Sequence, residues 1–130
     1  MASGGRDGLF SLGTFTFSCG QTLPEAQVAY RVFGEPAADG SNLVLYPSSY
    51  GAWPEDIDWV IGPILDPLRW CVVLVSLFGN GRSSSPSTCS MGLEENGWVL
   101  SHADNVRAQR RLLEELFHVE TPALIYGWSM

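Results

Sequence analysis

The sequence has no lysine; all seven basic residues are arginine. That absence removes lysine Schiff-base chemistry and the Gly-Lys-Ser/Thr phosphate loop. Seven basic residues against 14 acidic ones give a net charge of −7. Such a balance argues against nucleic acid or an anionic membrane surface as a partner. The three cysteines, Cys19, Cys71 and Cys89, form no Cys-x-x-Cys pair, and no His/Cys/Asp cluster has metal-ligand spacing. They read as reduced thiols of a cytoplasmic protein, with one disulfide plus one free thiol as the open alternative. No apolar run approaches the roughly 20 residues that span a bilayer, and residues 1–8 lack the apolar stretch of a signal peptide.

What is present argues for a packed core. Hydrophobic residues make up 45% of the chain, with five tryptophans, and 130 residues allow one domain at most. Phe10 to Ser18 reads as a strand with a break at Gly13. A turn spans Gly20 to Pro24, and Ala26 to Phe33 forms a second strand by alternation. Leu43 to Tyr46 and Trp70 to Val75 are continuous apolar runs, as expected for strands covered on both faces.

Between those two runs, Asp56 to Leu65 reads as a short helix with acidic residues at its start, limited by Gly62 and Pro63. Ser76 to Gly97 is a long Gly/Ser/Pro-rich segment of the kind that forms a lid or binding element. Ser101 to His118 is the clear helix. Ser101 and Asp104 fit a capping box, and Val106, Leu112, Leu113, Leu116 and Phe117 recur at helical spacing. Ala123 to Tyr126 is the last strand. Two strands followed by strand, helix, strand, helix, strand predict a parallel α/β sheet with its active edge at the carboxyl ends of the parallel strands.

Directly after that last strand stands Gly127-Trp128-Ser129-Met130, four-fifths of a Gly-x-Ser-x-Gly nucleophile elbow. Ser129 is the candidate nucleophile, since a sharp strand-to-helix turn would hold its hydroxyl above the sheet. The backbone N–H of Met130 would form half of an oxyanion hole. Tyr50, in the loop after the third strand, is the candidate for the other N–H; the alternative is an aromatic packed over the turn before Gly51. Arg82 could bind an anionic part of a substrate or simply a surface carboxylate. His102 and His118 lie at the two ends of the long helix and are poor bases for Ser129. In chain order the acid and histidine of such a triad follow the serine, which puts both beyond residue 130.

Several segments occur together in order: Ala29-Tyr30-Arg31-Val32-Phe33-Gly34, Leu65-Asp66-Pro67, Gly79 to Ser87, Asp104-Asn105-Val106-Arg107-Ala108-Gln109 and Gly127-Trp128-Ser129-Met130. In this order the chain resembles the homoserine O-acetyltransferase-like branch of the α/β-hydrolase superfamily, from about Phe15 onward. The resemblance implies an α/β fold, the N-terminal part of an α/β-hydrolase. Its first two strands are antiparallel, parallel strands with crossover helices follow, and it is truncated after the fifth strand. Residues 1–130 would be an incomplete domain. The last strand would lie beside the third and require a sixth on its other side.

The resemblance also implies an activity. Ser129 would take an acyl group, commonly from acetyl-CoA, and pass it to a hydroxyl acceptor by ping-pong chemistry without a bound cofactor. With homoserine as acceptor the product lies on the way to methionine. Three differences lean toward hydrolase-like members: Trp128 before the serine, a shorter loop at Gly81 to Pro86, and Ser48-Ser49 ahead of Tyr50 where a histidine is usual. The competing readings are an esterase with water as acceptor and an inactive product. A third is half of an assembly completed by a C-terminal chain or a second copy.

Overall fold

A computed structural model describes residues 4–49, 51–85 and 99–127. Five strands form one sheet: β1 (Arg6–Thr16), β2 (Thr22–Phe33), β3 (Leu43–Pro47), β4 (Cys71–Val75) and β5 (Leu124–Ile125). Their order across the sheet is β1-β2-β4-β3-β5. The β1–β2 hairpin is antiparallel and joins β4 in antiparallel fashion, whereas β4, β3 and β5 run parallel. This is the order that the resemblance to the N-terminal part of an α/β-hydrolase implies, with the last strand beside the third.

The break expected at Gly13 is a bulge. Gly13 has φ +66°, and the register shifts on either side of it. One extra residue reverses the parity of the strand. Phe10 and Leu12 before the bulge and Phe15 and Phe17 after it therefore all enter the same core. β1 begins earlier than the sequence suggests, at Arg6. Charged and glycine residues there find partners in β2: Asp7 takes two hydrogen bonds from Arg31, at 2.6 and 3.1 Å. At Gly8 any Cβ would lie 2.4 Å from the Tyr30 ring. β2 likewise starts at Thr22 and takes in Pro24, part of the expected turn, opposite the bulge and beyond the end of β4.

β3 and β4 are buried on both faces, which is why they read as unbroken apolar runs. On one face Leu43, Leu45, Val73 and Val75 meet helix α2 (His102–Phe117) through Ala108, Leu112 and Leu113. On the other, Val44, Tyr46, Val72 and Leu74 meet α1 (Pro54–Ile57) and a single 3-10 turn, Asp58–Val60, through Ile57 and Val60. The expected helix over Asp56–Leu65 is therefore two short turns that begin earlier. Pro54 sets the first turn, and Trp53 N–H donates to Asp56 Oδ2 at 2.9 Å.

In α2 the capping box forms as read, but Val106 and Leu116 are exposed rather than core. Asp104 and Gln109 occupy buried positions instead. No helix among the described residues is long and apolar enough to cross a membrane.

Candidate active site at the carboxyl edge

Parallel pairing of Pro47 with Val75, and of Leu45 with Ile125, brings three chain exits to one edge of the sheet. β5 is short, but its flanks extend the pairing: Ala123 N–H donates to Leu43 O at 2.8 Å and Tyr126 N–H to Leu45 O at 2.9 Å. The Tyr126 ring stands edge-on to Tyr46, with centroids 5.3 Å apart, and Tyr46 Oη donates to Ile57 O at 3.0 Å. These contacts deliver Gly127 to the carboxyl edge beside the loop after β3. Ser129, Met130 and Tyr50 lie outside the described residues.

The loop after β3 is held at its start. Ser48 N–H donates to Val75 O at 2.8 Å, and Ser48 Oγ accepts from Leu77 N–H at 3.0 Å. Ala52 N–H closes a turn onto Ser49 O at 3.1 Å, across Gly51 at φ +77°. A left-handed residue in that turn is the role glycine fills without strain.

The described part of the segment after β4, residues 76–85, is fixed to the sheet. β2 runs antiparallel to β4 with Tyr30 opposite Val75, so its residues before Tyr30 extend past the end of β4. Serines take the place of the missing strand there. Ala29 N–H donates to Ser83 Oγ at 2.8 Å, and Gln27 N–H to Ser84 Oγ at 2.7 Å. Ser84 N–H returns a bond to Gln27 O at 2.9 Å, and Ser83 Oγ donates to Ser76 O at 2.6 Å. The serines of this Gly/Ser/Pro-rich segment form a backbone brace.

Arg82 projects from this loop. Its guanidinium pairs with Glu55 and lies 4.4 Å from the centre of the Trp53 ring. Of the two partners open to it in sequence, a carboxylate is the one it holds. Arg82 also lines a cleft of about 440 Å³ with Asp7, Leu9, Ala29, Tyr30 and Pro54. Behind the cleft, Arg31 holds Asp7 and stands 3.7 Å from both Glu55 and the fully buried Asp58. The Arg31 hydrogen bond holds the Asp7 carboxyl below its ordinary value, and the same bond raises Arg31.

Helix α2 starts at this edge, and its first turn is locked to the hairpin. Asp104, buried, accepts from Ser18 N–H at 2.7 Å, Ser18 Oγ at 2.8 Å, Ser101 N–H at 2.9 Å and Arg107 at 2.6 Å. Burial alone would raise this carboxyl, but the bonds from Ser101, Ser18 and Arg107 outweigh it and bring it down to about 2. Next to it, Asn105 Oδ1 accepts from Phe78 N–H at 2.9 Å and ties the helix to the loop after β4. His102 is exposed in the first turn of α2. His118 is exposed beyond its last turn, in the left-handed conformation at φ 57°. Neither imidazole is hydrogen-bonded to a carboxylate among the described residues, as a triad base would be.

No family model matches the chain. It is 35% identical over 126 residues to an ethyl acetate hydrolase of Pseudomonas veronii, a match covering 94% of this chain and 36% of that protein. A homoserine O-acetyltransferase of Natronomonas pharaonis is 32% identical over 141 residues, covering 90% of this chain and 34% of the relative. The solved acetyl esterase MekB superposes with a TM-score of 0.87 at 34% identity, over 94% of this chain and 36% of its own. The chain belongs to the α/β-hydrolase superfamily. It is the N-terminal part of a member of the branch that holds homoserine O-acetyltransferases and acetyl esterases. It spans about a third of the length of these curated relatives.

Sequence reasoning missed the residues that build this edge. Ser83 and Ser84 look like loop filler, and nothing local links Asp104 to Ser18, 86 residues away. Only the Ser101/Asp104 spacing gave a signal.

Proposed function

We propose that this chain carries the nucleophile and oxyanion loop of a serine esterase that cleaves short acyl esters, acetyl above all. Ser129 Oγ attacks the ester carbonyl and the alcohol leaves. Water then releases the acid from the acyl-serine. The backbone N–H groups of Tyr50 and Met130 stabilise the oxyanion. The acid and histidine that activate Ser129 come from the remaining two-thirds of the protein. Arg82, at the rim of the cleft, is the cation available to an anionic substrate group, in competition with Glu55.

The observation that carries this reading is the 0.87 superposition on an acetyl esterase. The convergence of the loop after β3 and of Gly127 on one edge of the sheet supports it. A transferase with acetyl-CoA as donor and homoserine as acceptor is the second reading, favoured by the match to the Natronomonas protein.

The deciding experiment gives the whole enzyme 4-nitrophenyl acetate or ethyl acetate in one arm, and acetyl-CoA with homoserine in the other. Ester turnover that disappears in Ser129→Ala, with no CoA release, is expected. CoA release dependent on homoserine would replace hydrolysis with transfer. Ester turnover surviving in Ser129→Ala would remove the nucleophile.

A further inference from the structure

Asparagine followed by glycine is among the least stable dipeptides of a polypeptide toward water. The glycine nitrogen can attack the asparagine side-chain carbonyl carbon, because no side chain shields it and its backbone turns freely. The sequence has two such pairs, Asn80-Gly81 and Asn96-Gly97, and the second lies outside the described residues. Asn42 and Asn105 are followed instead by the bulky Leu43 and Val106. Asn80 and Gly81 are half-buried in the loop after β4, where water can reach them.

In the folded loop both reacting groups are already bound. Gly81 N–H donates to Ser85 Oγ at 2.8 Å, so the nitrogen that must lose its proton holds it in a hydrogen bond. Ser85 is buried, and its own hydroxyl donates to Ser83 O at 2.8 Å. The Asn80 amide is held at both of its ends. Its Oδ1 accepts from the N–H groups of Arg82 at 2.9 Å and Ser83 at 3.2 Å, and its Nδ2 donates to Ala52 O at 3.4 Å. Gly79 N–H donates to Ser84 O at 2.9 Å and closes the loop around the pair. The two N–H donors polarise the Asn80 carbonyl, which favours attack, but they also fix the amide against the rotation that ring closure requires. Each hydrogen bond contributes about 1 kcal/mol net, and ring closure must break several of them together. Protection wins.

We propose that Asn80-Gly81 is a site of spontaneous deamidation that the folded loop holds off, reacting only when the Gly81–Ser85 bond and the Asn80 side-chain bonds open together. Once they open, the Gly81 nitrogen gives up its proton and forms a bond to Asn80 Cγ. The Cγ–Nδ2 bond breaks, and the amide nitrogen takes up a proton and leaves as ammonia. Water then opens the cyclic imide at either carbonyl and leaves aspartate or isoaspartate at position 80. One water enters and one ammonia departs, with no change of oxidation state. The product cannot reclose the loop as before, because an oxygen replaces the Nδ2 donor opposite Ala52 O. The isoaspartate form also lengthens the backbone by a single atom ahead of Ser83 and Ser84, which brace β2. Nothing in this chemistry depends on Ser129.

The test follows deamidation at Asn80 in the whole protein by peptide mapping and mass spectrometry, at mildly alkaline pH, native and in guanidinium. In guanidinium, Asn80 and Asn96 should react at rates within about twofold of each other. In the native protein Asn80 should react at least about tenfold more slowly than in guanidinium. Variants are compared at the same interval below each one's thermal midpoint. Ser85→Ala removes the acceptor of the Gly81 N–H and should raise the native rate roughly tenfold. Ser85→Thr keeps the hydroxyl and should stay near the parental rate. Leu113→Ala, a core change in α2, separates opening of the loop from general loosening.

Native Asn80 reacting as fast as in guanidinium would overturn the protection. An Asn80 that stays intact in guanidinium while Asn96 reacts would overturn the site. Equal rates in Ser85→Ala and Leu113→Ala would show that the Gly81–Ser85 bond is not what holds the reaction off.

Discussion

Asp104 shows how much one carboxylate can hold. It caps α2 in the way the Ser101-x-x-Asp104 spacing suggests, and the same group reaches Ser18 at the end of the hairpin. The cap was legible because it is local. The link to Ser18 was not, because it depends on where β1 ends in space. Its carboxyl, at about 2, lies below the ordinary carboxylate value. A depressed pKa contributes stability above the unfolded value, lost as pH falls through the folded one. Asp104→Asn should therefore destabilise the protein by about 2 kcal/mol at pH 7 in urea unfolding. The difference should shrink between roughly pH 4 and pH 2; a gap constant with pH would show that packing, not charge, is at stake. Ser83→Ala would leave the Ala29 N–H without its acceptor and should cost about 1–3 kcal/mol. Faster amide exchange at Ala29 would report it.

Among the elements, those buried on two faces or closed by local caps were readable, and those completed by distant partners were not. β3, β4 and α2 belong to the first group. The first half of β1 belongs to the second: Arg6-Asp7-Gly8 has no strand character of its own and is held by Arg31 and the Tyr30 ring. The apolar stripe of α2 misled at Val106, which is 58% exposed while the polar Asp104 and Gln109 are buried. β5 lies beside β3, as the resemblance implies. Leu124 and Ile125 are 41% and 63% exposed, and the far side of β5 is unpaired among the described residues. An apolar edge of that kind templates association. The 130-residue chain by itself should self-associate, and Ile125→Lys should shift its sedimentation profile toward monomer. An unchanged profile would place the sticky surface elsewhere.

At the scale of the whole molecule, the place of the last strand beside the third and the position in the superfamily were legible through the resemblance that the motif order carries. The cross-links between loops were not, since each joins residues far apart in sequence. The chemistry divides along the same line. The two histidines of this chain sit at the ends of α2, and neither has a carboxylate partner among the described residues. On the proposed reading, Ser129 in the 130-residue chain should therefore resist a fluorophosphonate probe that labels it in the whole protein. Labelling at an equal rate would mean that the base lies within residues 1–130 after all.

The serine brace between β2 and the loop after β4 has a consequence for how damage would present itself. The hairpin is the part of the chain furthest in sequence from Ser129, yet the loop after β4 is braced on the Gln27 and Ala29 backbone. On the proposed reading, a lesion that slackens the hairpin would lower turnover as well as heat resistance. Screens for turnover would then trace a phenotype to residues far in sequence from Ser129.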